Sequence, residues 1–315
     1  MIIKNKYKIS KDSDLLFAKI DILNTLKKEK KEYMNFFSFA IMELGTNILK
    51  YAKIGEIWLL KENDEFLLAA LDEEGIDDIS WAIKKGTSSR NSLGLGLYQL
   101  VNNDYFDFLI FTSKDILKGS VFLLKPKTLN NNLVVFSENY MGLNVSGDFF
   151  VKKGRFFMLG DASGHGIQAN KSAEFIKNYF LNTIFSCSLS TYFLKELNLK
   201  LKENSLRSAV LCTGEITHNK IHLCGVGNIE TIYKENNTMI KKSFNNAIVG
   251  ETVSSVAKYS YDLTLSSKIF IFSDGIDEEK LYNINRMIDD IYLIVVCGVF
   301  YSKRVDDKII LAIKG

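Results

Sequence analysis

Proline is nearly absent from this 315-residue chain, so a break set by proline stands at one place only, Pro126. Cysteine is scarce as well. Cys187, Cys212, Cys224 and Cys297 show no Cys-x-x-Cys spacing and lie among apolar residues. That excludes a disulfide framework and reads as buried free thiols in a reducing compartment. Three histidines exclude a histidine-rich metal centre. No apolar run reaches membrane-spanning length without a charge or a break, so no membrane partner is expected. Met1 to Tyr7 carries charge too early for a signal peptide, and a cytoplasmic location is expected. A net charge of +3 is too small to point to nucleic acid. The lysine run from Lys27 to Lys31 reads as a solvated helix face.

What is present suits a soluble globular protein: 47% hydrophobic and 24% charged residues, in a length that suffices for two cores. The polar stretch Lys125 to Asn132, which contains Pro126, separates a first domain at 1–125 from a second at 133–315. In the second, Val145 to Gly166 reads as two apolar strands about a polar, glycine-containing turn at Lys152 to Arg155. Folding that hairpin brings Asp148 back beside Asp161. Two neighbouring carboxylates repel, and a hard cation between them is the simplest remedy. Two more apolar runs meet acids: Phe270 to Phe272 runs into Ser273-Asp274-Gly275, and Asp306-Asp307 leads into Lys308 to Ile313. Four strand ends thus present carboxylates, a set able to hold two Mg²⁺ or Mn²⁺ ions. His165, in a Gly-His-Gly turn, reads either as a proton donor or as a turn residue that hydrogen-bonds the loop.

The ordered set Gly147-Asp148, Asp161-Ala162-Ser163-Gly164-His165-Gly166, Gly225-Val226-Gly227-Asn228, Ser273-Asp274-Gly275 and Asp306-Asp307 resembles the SpoIIE/RsbX branch of the PP2C-like protein phosphatases. The resemblance covers about residues 133 to 315. It implies a β-sandwich flanked by helices, a binuclear Mn²⁺ or Mg²⁺ centre, and hydrolysis of phosphoserine or phosphothreonine on a partner protein. It also implies the carbonyl of Ala162 as a metal ligand beside Asp148, Asp161, Asp274 and Asp306, with Asp307 nearby. No chemistry is assigned to the Gly225–Asn228 turn.

In the first half, helices are expected over Asp14 to Lys31 and Glu32 to Tyr51. Strands are expected at Lys4 to Ile9, Glu56 to Lys61, Glu65 to Leu71, Phe106 to Ser113 and Ser120 to Leu124. Glu43 and Asn47 lie one turn apart on the second helix and point the same way. They read as a polar pair at a packing edge or as part of a nucleotide site. Asp72 ends a strand, Gly75 follows in a loop, and a short helix is expected near Ile79 to Lys84. Gly94 and Gly96 precede an apolar helical run and suit a phosphate-receiving helix start. Together with Gly119-Ser120, these segments resemble the RsbT-type anti-sigma-factor kinases of the GHKL ATPase superfamily. That implies a GHKL-type α/β sandwich, Mg²⁺ on Asn47, catalytic help from Glu43, adenine on Asp72, and Gly94 and Gly96 over the phosphates of ATP. Where that family has Asp-x-Gly-x-Gly, this chain has Asp72-Glu73-Glu74-Gly75-Ile76, one residue shorter and with Glu74 in a glycine position.

The fold class expected is therefore α+β in two domains. Further along the second domain, a helix is expected over Ile167 to Phe185 and another over Thr191 to Leu197. Strands are expected at Arg207 to Glu215, Lys220 to Gly225, Glu230 to Lys234 and Thr238 to Lys242. Tyr261 to Leu265 leads into another. The stretch Met287 to Val299 reads equally as a helix and a strand or as one helix. The function expected is a metal-dependent phosphatase acting on a phosphorylated STAS-domain protein, with a sigma-factor regulator as a further partner. A bifunctional kinase-phosphatase, a non-catalytic partner-switching protein and a phosphatase of small phosphoesters are the alternatives.

Overall fold

The structure is a computed structural model that describes all residues except 76–83, 85–94, 116, 141–142, 184–190 and 303. The expected helix near Ile79 lies outside the described residues, as do Gly94 and Cys187. The chain divides into two compact units. The first holds Met1–Asn131 with Met287–Leu293; the second holds Asn132–Arg286 with Ile294–Gly315.

In the first unit, β1 (Ile2–Ile9), β2 (Gly55–Glu62), β3 (Glu65–Asp72), β4 (Phe106–Ser113) and β5 (Gly119–Pro126) pair antiparallel in the order β1-β2-β3-β5-β4. Helices α1 (Asp12–Glu29) and α2 (Met34–Asn47) pack on this sheet, and a single π-helical turn at Ile48–Ala52 follows α2. Both helices form where apolar residues recur at helical spacing: Leu15, Ala18, Ile22 and Leu26 in α1, and Phe37, Ala40, Ile41 and Leu44 in α2. Acids at the start of α1, Asp12 and Asp14, and lysines at its end, Lys27 and Lys28, match the helix dipole. The apolar residues of both helices join Ile57, Leu59, Phe66, Leu68, Phe122 and Leu124 of the sheet in one core. Gly45 lets α2 approach α1, since a Cβ there would stand 2.2 Å from Leu15 Cδ1. A short helix, α3 (Gly96–Val101), precedes β4.

The second unit is a sandwich. One sheet pairs β12 (Thr238–Ser243), β11 (Glu230–Glu235), β14 (Ser267–Phe272), β15 (Lys308–Lys314) and β6 (Leu133–Glu138) in that order. The other runs β13 (Ala257–Asp262), β10 (Lys220–Val226), β9 (Ala209–Ile216), β8 (Phe156–Ala162) and β7 (Asp148–Lys153). Alternation along β8 sorts its side chains. Phe157 and Leu159 join Ile269, Ile271, Ile309 and Leu311 between the sheets, whereas Phe156 and Met158 face the helical layer. That layer is α4 (Gly166–Asn182) and α5 (Thr191–Glu203), which contribute Ala169, Ala173, Ile176, Phe180, Phe193 and Leu197.

Two further helices are α6 (Glu278–Met287) and α7 (Ile291–Tyr301). The ambiguity over Met287 to Val299 resolves as the last residue of α6, a break, and α7. The sequence reading proposes no element over α6. Gly298 of α7 lies against Leu281 of α6 and Ile310 of β15. The second half is thus a sheet-rich α+β fold flanked by helices. Among the described residues no helix is long and apolar enough to cross a membrane.

Candidate active site

The hairpin β7–β8 turns through Gly154 and Arg155, with Gly154 at φ +60, the left-handed value that a two-residue hairpin loop takes at its first position. Its register sets Asp148 directly opposite Asp161. Opposed residues share a face of the sheet, with Cβ atoms about 5 Å apart. Asp148 is buried and Asp161 half-buried. Burial, and then the charges of Asp161, Asp307 and Asp274, push the Asp148 carboxyl well above the usual range. Asp161 is pushed up to about 8 by burial first, then by Asp274, Asp306 and Asp307. Residues 126 positions apart in sequence therefore act electrostatically on one another.

Each acid is held by its own device. Ser273 Oγ donates to Asp148 Oδ2 at 2.8 Å, and the backbone N–H of Ile309 donates to Ser273 Oγ at 3.2 Å. Asp148 Oδ1 is buried with no hydrogen-bond partner. Asn228 Nδ2 donates to Asp274 Oδ2 at 2.6 Å, and Arg304 Nη1 donates to the Asp274 carbonyl. Asp307 is buried and accepts two backbone N–H groups, from Tyr140 at 2.6 Å and Gly147 at 3.0 Å, so it ties the chain before β7 to the chain before β15. Asp306 Oδ1 accepts the Asp307 N–H, and burial followed by Asp274 raises its carboxyl. His165 Nδ1 stands 3.6 Å from both Asp306 and Asp307, and its ring stacks on Tyr140 with centroids 4.2 Å apart. The Ala162 N–H donates to the Gly147 carbonyl. A Cβ on Gly147 would come 2.6 Å from the Ala162 carbonyl oxygen, so glycine keeps that oxygen uncrowded.

Among the described residues, no three His, Cys, Asp or Glu side chains converge closely enough to hold a metal ion. The donor chemistry nevertheless fits a hard divalent ion. The ligand atoms are carboxylate oxygens, and one of them, Asp148 Oδ1, is buried and unsatisfied, which is costly without a partner. Asp307 fits least well, because both its oxygens already accept backbone donors.

Asn228 and Tyr140 were not legible as site residues. Asn228 touches an acid 46 positions away, and nothing local in Gly225–Asn228 signals that partner. Tyr140 enters by stacking on His165 and by its backbone N–H to Asp307, 167 positions away.

In the first unit, Glu43 lies against the first residue of α3: a Cβ on Gly96 would fall 1.7 Å from Glu43 Oε2. Asn47 closes α2 one turn further on, half-buried. Asp72 is buried at the end of β3, and burial raises its carboxyl. Its Oδ1 accepts the N–H groups of Glu74 at 2.9 Å and Gly75 at 3.1 Å. Gly75 has φ +77, and a Cβ there would meet the Ser113 carbonyl oxygen at 2.6 Å.

Comparison with known proteins bears on the second half. Residues 152–296 match the family described as Stage II sporulation protein E (SpoIIE). Similar folds include RsbX in complex with magnesium, at 18% identity over 57% of this chain and 92% of that one, with a TM-score of 0.48. PppA, a regulatory component of T6SS in Pseudomonas aeruginosa, has 13% identity over 58% and 96%, with a TM-score of 0.49. The Mycobacterium tuberculosis serine/threonine phosphatase PstP/Ppp has 9% identity over 58% and 97%, with a TM-score of 0.46. Among curated proteins none matches the chain. The family match, over residues 152–296, lies wholly in the second half, the part of the chain that holds the acidic hairpin.

Proposed function

We propose that the second unit is a metal-dependent protein phosphatase that removes phosphate from serine or threonine of a STAS-domain regulator. The observation that carries this reading is the facing pair Asp148 and Asp161, with an unsatisfied buried oxygen between further acids. Asp148, Asp161, Asp274, Asp306 and the carbonyl of Ala162 would hold two Mn²⁺ or Mg²⁺ ions. Bound ions supply Lewis acidity toward the phosphoryl oxygens. Ser273 and Asn228 hold the carboxylates of Asp148 and Asp274 in place. His165, fixed by Tyr140 and facing Asp306 and Asp307, is the group placed to give a proton to the departing serine oxygen. The STAS-domain substrate rests on the two motif sets carried in one chain. Phosphate release from a phosphorylated STAS-domain protein tests the reading. It should require Mn²⁺ or Mg²⁺, and chelator or Asp161→Asn should abolish it. Release that survives both would refute it.

For the first unit, the contact of Glu43 with Gly96 and the buried Asp72 support a nucleotide site for ATP with Mg²⁺. Partner recognition without nucleotide is the competing reading. Transfer of labelled phosphate from ATP to the STAS-domain protein, lost on Asn47→Ala, would make the protein bifunctional.

A further inference from the structure

Arg207 lies at the lip of the acidic cluster and takes no part in the holding of the acids. Its backbone N–H donates at 2.9 Å to Ser172 Oγ, a fully buried hydroxyl, which anchors the residue just before β9. Its side chain turns back over the loop that leaves Asp161. Nη1 donates at 3.0 Å to the Ser163 carbonyl. The guanidinium occupies the space beside Gly164: a Cβ there would stand 2.3 Å from Nη1. A guanidinium has five N–H donors, and one is spent here. Among the described residues no ion pair involves Arg207, although it is exposed beside a strongly acidic centre. Ser163 Oγ lies 3.0 Å from Ser208 Oγ, and Ser208 Oγ donates to Glu251 Oε1 at 3.0 Å, so the Glu251 carboxylate is engaged by a serine.

A guanidinium held on the Ser163 carbonyl, two residues beyond Asp161, and engaged in no ion pair among the described residues has a use if the incoming group is a dianion. The acids around Asp148 repel such a group, and a planar fork of donors offsets that repulsion and orients the phosphoryl oxygens. We propose that Arg207 is a substrate-binding residue that grips the phosphoryl group of a phosphoserine or phosphothreonine side chain. The inference rests on the phosphatase reading and names the residue that selects phosphorylated over unphosphorylated chain.

The test uses the full protein with Mn²⁺ and a fluorescent peptide carrying the phosphonate analogue of phosphoserine, which cannot be hydrolysed. Fluorescence anisotropy should show the wild type binding the phosphonate peptide more tightly than the matching serine peptide. Loss of a hydrogen bond to a charged group predicts about tenfold to hundredfold weaker phosphonate binding in Arg207→Ala. Arg207→Lys should recover part of it, and serine-peptide binding should not change. Arg207→Gln, which keeps most of the side-chain volume, should lose the preference as Arg207→Ala does, and this separates charge from packing. A phosphonate preference that persists in Arg207→Ala and Arg207→Gln overturns the inference, as does equal weakening for both peptides. Phosphate release from the true phosphoserine peptide is measured alongside. No release by wild type, with Arg207-dependent binding intact, overturns the phosphatase reading and leaves the binding assignment standing.

Discussion

A carboxylate sealed from water with one oxygen unsatisfied destabilises the fold that contains it, and Asp148 is such a group. Asp148→Asn should therefore raise the melting temperature of the metal-free protein while it abolishes phosphate release. A fall in melting temperature would show that the charge is already compensated. Ser273 acts in the opposite sense. Its buried hydroxyl serves Asp148 and Ile309 together, so Ser273→Ala should cost ~1–3 kcal/mol in urea unfolding and lower turnover as well. Gly275 has no room for a side chain: a Cβ there would stand 1.9 Å from the Asp307 carbonyl oxygen. Gly275→Ala should displace the chain between β14 and α6, and lost activity with a lowered melting temperature would report it. The acids themselves were legible, because each borders an apolar run. Their supports were not: Ser273 reaches 125 positions back to Asp148, and sequence patterns do not encode such pairings.

At the scale of elements, the hairpin β7–β8 was readable to its register because its side-chain period is two and its turn is short. A one-residue insertion between Lys153 and Phe156 would carry one of the facing acids to the other side of the sheet, and metal-stimulated activity should vanish with the fold retained. Helix α7 was unreadable as helix or strand. Ile291 to Val296 is apolar without interruption and buried all round, so no amphipathic face marks its period. Strand β13 had no separate expectation in the sequence, because its exposed Lys258 and Ser260 weaken the apolar signal. The start of β11 carries a titrating carboxyl that faces the start of α6. Burial, and then Glu278, push the Glu230 carboxyl up to about 7. The folded protein holds that proton more tightly than the unfolded chain does. The stability that Glu230 contributes is thus present at low pH and declines as pH rises from the ordinary glutamate range toward 7. Glu230→Gln should flatten that part of a melting-temperature profile, and an unchanged slope would refute the assignment.

At the scale of the whole molecule, the chain passes from the first compact unit to the second between Asn131 and Asn132. One feature had no sequence signal: Met287–Leu293 belongs with the first unit. Tyr292 is buried there, its hydroxyl accepts the Asn131 N–H at 3.3 Å, and Lys125 Nζ lies 5.3 Å from its ring centre. Truncation of a core aromatic predicts a loss of ~3–5 kcal/mol for Tyr292→Ala, measurable by urea unfolding. The nucleotide reading of the first unit is tested at this scale too, by a thermal shift with MgATP that Asn47→Ala should remove. The path of the chain also bears on inheritance. A recombination event that joined a foreign second half at position 132 would import a segment shaped for another first half and discard its own. Such hybrids need compensating changes around Tyr292, so the two halves are expected to descend together as one block.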